Sequence, residues 1–234
     1  MTRTPSSRPD EPAVVLSGVG YSYGRTPALE DASLTVAAGE VVAVTGPSGC
    51  GKSTLLMLAA GVLRAQAGRV QLAGQDLGSL GEADRARLRR REVGLVLQYG
   101  QLVPDLGVVD NIALPLLLEG RPPGDARRAA TSWLERVGLE LTGDERPGEL
   151  SGGQAQQVAA ARALVASPRL LLADEPTASL DPRAGRELLD LMVTTTRSSG
   201  GSVVLVSHDN TVAARADREV RLRAGRVAHE VGLA

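Results

Sequence analysis

Gly46-Pro47-Ser48-Gly49-Cys50-Gly51-Lys52-Ser53 constrains this chain more than any other stretch. An apolar, strand-type run at 41–45 precedes it, and a helix-type run at 54–60 follows. Strand, glycine loop and helix in that order form the context of a phosphate-binding loop. The physics is anion capture. Glycines let the backbone turn tightly enough for successive N–H groups to converge, and the following helix adds its positive end. In such a loop, residues from Gly46 through Thr54 surround the phosphates, Lys52 reaches the β- and γ-phosphates, and the Ser53 hydroxyl is a magnesium ligand. Lys52 is the only lysine in the chain, every other basic side chain except histidine being arginine. A compact ammonium is not interchangeable with a planar guanidinium, so its sole use at this position argues for the loop.

A chain of 234 residues suits one α/β unit with a smaller inserted or appended subdomain. Its formal net charge of −1 gives no global drive toward nucleic acid or an anionic membrane. Phe is absent and aromatics make up 2%, so the core must be built from Leu, Val and Ala. The single cysteine, Cys50, excludes an internal disulfide and fits a reducing compartment. Inside the phosphate loop it reads as a small residue tolerated there rather than a redox control. No apolar run approaches the roughly 18 residues of a membrane span. Residues 1–12 are polar and Pro-rich and carry no signal-peptide core. They read as a disordered tail ahead of a single domain at 13–234. A soluble protein that meets a membrane only through a partner is the expectation.

Strands are expected at 14–19, 32–36, 41–45, 69–72, 93–97, 170–174 and 203–206. Gly61 stops the first helix. The arginine-rich stretch 82–91 reads as a solvated helix face, or else as a contact for a partner's loop or lipid headgroups. From 99 to about 165 the pattern is helical, punctuated by Pro104, Pro115 and Pro122-Pro123, and predicts a helical subdomain set into the α/β unit. One helix at 125–137 places Ala129, Trp133, Leu134 and Val137 on a face. Another starts at Asp181-Pro182, a good N-cap followed by a residue suited to the first turn, and ends at Gly200-Gly201. The segment 220–231 has the shape of a hairpin turning at Ala224-Gly225.

Two further constellations carry chemistry. The strand at 170–174 ends in Asp174 and Glu175, and carboxylates at the C-terminal end of a parallel strand stand where open α/β sheets bind ligands. Asp174 would hold magnesium through water, and Glu175 would orient or deprotonate an attacking water. Ser151-Gly152-Gly153-Gln154 opens a second glycine-bearing helix, again suited to phosphate. A nucleotide has one γ-phosphate, already cradled by the first loop. Two chains facing head to tail, each helix start closing over the other's nucleotide, resolve the surplus.

With these residues in order, the chain resembles the ATP-binding-cassette (ABC) ATPases over about residues 13–231. The resemblance implies an α/β fold: a P-loop NTPase core with a parallel-rich sheet, an N-terminal antiparallel β-subdomain and the inserted helical subdomain. It implies that Tyr23 stacks on adenine; Tyr21 competes, but Gly24 follows Tyr23 as in the family. It makes Gln98 the glutamine that links the γ-phosphate and magnesium to the partner-contacting region, and Ser151 to Gln154 the family signature. It places Ser179-Leu180-Asp181 in the loop that crosses the dimer interface, and makes His208 a γ-phosphate contact. Gln157, Tyr99 and Ala178-Ser179 depart from the usual pattern at positions that do not contact nucleotide. Gln101-Leu102-Val103-Pro104, the segment 109–115 with Asn111 and Leu114-Pro115, and 172–177 resemble the lipoprotein-releasing, macrolide-exporting and cell-division ATPases.

The resemblance therefore implies an ATPase using ATP and Mg2+, with Lys52, Gln98, Glu175 and His208 catalytic and Ser53, Gln98 and Asp174 at the metal. Its expected partners are a second copy and an integral membrane permease docking between Gln98 and Pro115. No nucleic acid is expected, and the place is the cytoplasmic face of the cell membrane. A mechanical complex that regulates a cell-wall enzyme is the alternative. A soluble ABC ATPase acting on ribosome or DNA is remoter, since one cassette without sustained heptads lacks the features of those members.

Overall fold

The computed structural model describes residues 11–98, 100–208 and 210–232. The expected tail, apart from Glu11 and Pro12, and the variant position Tyr99 lie outside the described residues.

Two sheets form the frame. The first is antiparallel, in the order β2-β1-β4-β5, from β1 (Val14–Tyr23), β2 (Thr26–Val36), β4 (Ala67–Leu72) and β5 (Gln75–Asp76). The second has the order β10-β9-β3-β8-β7-β6. It comprises β3 (Val41–Thr45), β6 (Val93–Val96), β7 (Leu170–Asp174), β8 (Ser202–Val206), β9 (Arg218–Arg223) and β10 (Arg226–Gly232). Pairings from β6 through β9 are parallel, and only the β9–β10 hairpin is antiparallel.

The unbroken apolar runs of β3, β7 and β8 have a direct cause: both faces of this sheet are covered. Val41, Ala43, Leu171, Ala173, Val203 and Leu205 enter one core; Val42, Val44, Leu170, Leu172, Val204 and Val206 enter the other. The first core takes the helices α3 (Val108–Leu118), α4 (Pro123–Arg136), α5 (Gly152–Leu164) and α6 (Pro182–Ser198). The second takes α1 (Lys52–Ala59) and the antiparallel sheet. A short α7 (Asn210–Ala213) follows β8.

Several elements differ from the sequence expectation. β1 runs on to Tyr23 because β2 begins at Thr26 and pairs with it across a tight turn. Register shifts beside Gly18 and Gly20 absorb the irregular alternation that hid this strand. Pro115 lies inside α3 rather than ending it, with Ile112, Ala113 and Leu116 buried around it. On α4, Ala126 and Ala130 are buried with Trp133 and Leu134, while Ala129 is only partly covered.

Helix α2 (Glu82–Glu92) is not simply a solvated face. Arg85 is buried, its side chain bonded to Glu82 and lying over Gly61. Arg89 donates to the Gly61 carbonyl at 3.1 Å, and Arg90 meets Glu119 at 3.4 Å. Those arginines fasten the end of α1 and bridge toward α3.

Candidate functional site

Because β3, β8, β7 and β6 are neighbours and parallel, their C-terminal ends share one edge of the sheet. Each end continues into a residue singled out by sequence: the 46–53 loop after β3, His208 after β8, Asp174-Glu175 at β7 and Gln98 just past β6. Ligands bind at this edge in open α/β sheets.

The loop is shaped by glycines with no room for a side chain. Gly46 has φ 144°, and a Cβ there would stand 2.2 Å from the Leu222 carbonyl. Gly51 has φ 106°, and its Cβ would stand 2.3 Å from the Ala28 carbonyl. Cys50 is a buried free thiol beside Gly46, its carbonyl held by Gly225 N–H at 3.0 Å. Lys52, 8% exposed, donates through Nζ to the carbonyls of Gly46 at 2.9 Å and Pro47 at 3.0 Å. The ammonium thus spans the mouth of its own loop, where an anionic oxygen would compete for it.

Asp174 is buried. Burial, with the negative charge of Glu175, pushes its carboxyl above the usual range; the Ser53 hydroxyl and Lys52 pull it back. An under-compensated carboxylate next to a hydroxyl is a set of hard oxygen donors, and suits a cation that completes its shell with phosphate and water. Among the described residues no cluster of three or more His, Cys, Asp or Glu could hold a metal by itself.

Glu175 takes a left-handed φ of 46°, and its N–H bonds the Val206 carbonyl at 2.9 Å. Its side chain is 14% exposed and held at both oxygens: Oε1 lies 2.7 Å from His208 Nδ1, and Oε2 accepts from Ser207 Oγ at 3.0 Å. Sequence reasoning did not single out Ser207 as a partner of Glu175; its position just before His208 was the available signal.

Tyr23 is 55% exposed, whereas Tyr21 packs against the second core and meets it edge-on, ring centroids 5.0 Å apart. Only Tyr23 offers an open ring face at the end of β1.

The second glycine-bearing start stands apart. Ser151 Oγ accepts from Gln154 N–H at 3.2 Å, and Gln154 Oε1 accepts from Ser151 N–H at 2.9 Å. This reciprocal cap starts α5. Gly152 and Gly153 face Ser179 and Leu180, with no spare room at Gly153. Asp181 caps α6, taking the Arg183 and Ala184 N–H groups at 2.9 and 3.0 Å, and those bonds draw its carboxyl below the usual range. Among the described residues no hydrogen bond or ion pair joins Ser151, Gly152, Gly153, Gln154 or Asp181 to the 46–53 loop.

The family profile described as ABC transporter matches residues 29–178. The chain belongs to the ABC transporter family. Within it, the chain is 44% identical over 197 residues to the lipoprotein-releasing system ATP-binding protein LolD of Paramagnetospirillum magneticum, covering 84% of this chain and 87% of that one. It is 44% identical over 225 residues to the LolD of Ruegeria pomeroyi, covering 94% and 99%. Among solved structures it is similar to the dimeric post-hydrolysis state of the ATP-binding cassette MJ0796 bound to ADP and Pi. There the TM-score is 0.89 and the identity 34%, covering 94% of this chain and 99% of that chain. This ABC cassette is therefore an ATP-binding ATPase with the α/β fold that its sequence implied.

The cassette's departure at Gln157 has a structural explanation. Its Nε2 donates to the Val137 carbonyl at 2.7 Å and closes the end of α4. What it supplies is a donor to a helix end.

Proposed function

We propose that this cassette hydrolyses MgATP as a head-to-tail dimer and thereby drives an integral membrane partner of the lipoprotein-releasing type. One observation carries the chemistry: the 46–53 loop, Asp174-Glu175, His208 and Gln98 follow neighbouring parallel strands onto one sheet edge. The relatives named lipoprotein-releasing ATP-binding proteins supply the cargo class, and the MJ0796 dimer supplies the assembly.

In this reading Tyr23 stacks on adenine, and base–aromatic stacking contributes about 1–3 kcal/mol. Backbone N–H groups of 46–54 surround the phosphates. Lys52 exchanges the Gly46 and Pro47 carbonyls for β- and γ-phosphoryl oxygens. Ser53, Asp174 and Gln98 would hold magnesium, which when bound draws charge from those oxygens. Glu175 orients the attacking water through the oxygen it now shares with His208, and accepts its proton as the water oxygen bonds to the γ-phosphorus and the bond from that phosphorus to the β–γ bridging oxygen breaks, leaving ADP and inorganic phosphate. His208, freed from Glu175, donates to the γ-phosphate. Ser151 and the N–H groups after it act on the partner's nucleotide. The region between Gln98 and Pro115 receives the membrane partner. Among the described residues no helix is long and apolar enough to cross a membrane, so attachment to the cytoplasmic face comes through that partner.

Complementation tests the geometry. Ser151→Arg and Glu175→Gln each abolish hydrolysis when purified alone. In a head-to-tail mixed dimer one site combines an intact Glu175 with the other chain's intact Ser151, so mixing restores activity. Failure to restore it, with both variants shown to bind ATP and to dimerise with each other, refutes the arrangement.

A further inference from the structure

The loop that carries Gln98 is fastened to the signature helix by side chains outside the nucleotide site. Arg162, on α5, donates from Nη2 to the Gly100 carbonyl at 2.9 Å and from Nη1 to the Gln101 carbonyl at 3.0 Å. Gln156, on the same helix and 1% exposed, donates to the Leu97 carbonyl at 3.3 Å. The two grips fall on either side of Gln98. Gly100 and Gln101 both take left-handed φ, 69° and 46°. A Cβ on Gly100 would stand 2.9 Å from the Ala155 carbonyl, so the loop lies directly on the helix backbone. Beyond it, buried Asn111 of α3 pairs with both the N–H and the carbonyl of Val103, at 2.8 and 3.0 Å.

This fastening is costly to build. Burial lowers the pKa of Arg162, so its charge is disfavoured, and carbonyls rather than a carboxylate receive it. Gln156 Oε1 has no hydrogen-bond partner among the described residues. Such groups would be poor choices for stability alone. Among the described residues, every side-chain hydrogen bond from 97–103 to another element ends on α3 or α5.

We infer that Arg162 and Gln156 are positioning residues for Gln98: by fixing the Leu97, Gly100 and Gln101 carbonyls they set how Gln98 approaches the chain's own nucleotide. The inference rests on the proposed role of Gln98.

The test is a double-mutant cycle in the full chain with Arg162→Ala, Gln98→Ala and both together. Hydrolysis is read alongside equilibrium binding of a fluorescent ATP analogue with and without magnesium. Arg162→Ala is expected to lower kcat about tenfold, the scale of a lost charge-assisted contact. It leaves affinity without magnesium unchanged and weakens the tightening that magnesium produces. The double variant is no worse than Gln98→Ala, because the clamp acts only through Gln98. Amide exchange at Gly100 rises in Arg162→Ala while the sheet stays protected. If Arg162→Ala does not fold, Arg162→Lys, which keeps the charge but loses the fork, carries the same cycle with a smaller loss. Independent, multiplying losses in the double variant overturn the inference while leaving Gln98's role intact. A silent Gln98→Ala overturns that role, and the inference with it.

Discussion

Replacing Ser207 by Ala removes one of the two groups that hold Glu175 and leaves the other. Ser207 is 2% exposed and its hydroxyl donates to Oε2 at 3.0 Å, on a carboxylate whose side chain is 14% exposed. Hydrogen bonds to charged groups contribute about 1.5–3 kcal/mol net. The Glu175 backbone stays fixed by its N–H bond to the Val206 carbonyl at 2.9 Å, so the lower end applies, and about 1.4 kcal/mol corresponds to a tenfold change in rate. The expected result is a fall in kcat of about tenfold, with KM for ATP within twofold of wild type, because Ser207 holds the base through its hydroxyl and not the phosphate loop. Ser207→Thr, which keeps the donor, recovers most of the rate. Steady-state phosphate release across ATP concentrations reads both parameters. A kcat within twofold of wild type, or a loss confined to KM, would refute the reasoning.

Asp174→Asn separates stability from catalysis. Burial raises the carboxyl's folded pKa, so its contribution favours folding below the ordinary value of 3.8 and is lost as pH rises through the raised one. The variant should therefore melt at a higher temperature than wild type near neutral pH without nucleotide, the gain disappearing in acid. Its hydrolysis should fall by at least about 10²-fold, as for loss of a preorganised electrostatic group. A lower melting temperature would contradict the assigned cause. Glu145 has the opposite sign: the Thr142 backbone N–H, with Gly143 N–H and the Thr142 hydroxyl, lowers its carboxyl from 4.5 to about 2. Its hold on the 142–145 loop is complete above about pH 4.5 and is lost as pH falls toward about 2. Amide exchange at Thr142 and Gly143 should stay slow at pH 4 and quicken at pH 4 in Glu145→Gln; equal rates in the two proteins would remove Glu145 from this role.

The central sheet and the candidate site at the ends of its strands could be read from sequence because their causes are local. A strand buried on both faces must be apolar throughout, as at 170–173, and a glycine loop between strand and helix has few alternatives. The cap at Asp181 was equally local, and the structure pairs it with the Arg183 and Ala184 N–H groups. What escaped was set by distant partners. The full length of β1 depends on its register with β2, and the fate of the 82–91 arginines depends on where Gly61 and Glu119 lie. Ser207 reaches Glu175 across 32 positions of sequence, and Arg162 reaches the Gly100 and Gln101 carbonyls across 61–62, separations that no spacing rule reports. For Ser151 even the folded chain is incomplete: its cap is closed internally, and its proposed ligand belongs to another copy.

The most direct measurement is sedimentation of Glu175→Gln beside wild type, with ATP and magnesium. Binding through Lys52 and the loop is retained while the water loses its base, so the closed state is not consumed. The variant should accumulate as an ATP-dependent dimer in which hydrolysis is almost abolished, while wild type returns to monomer as ATP is used. A Glu175→Gln protein that binds ATP yet stays monomeric, or that hydrolyses it at the wild-type rate, would contradict the account.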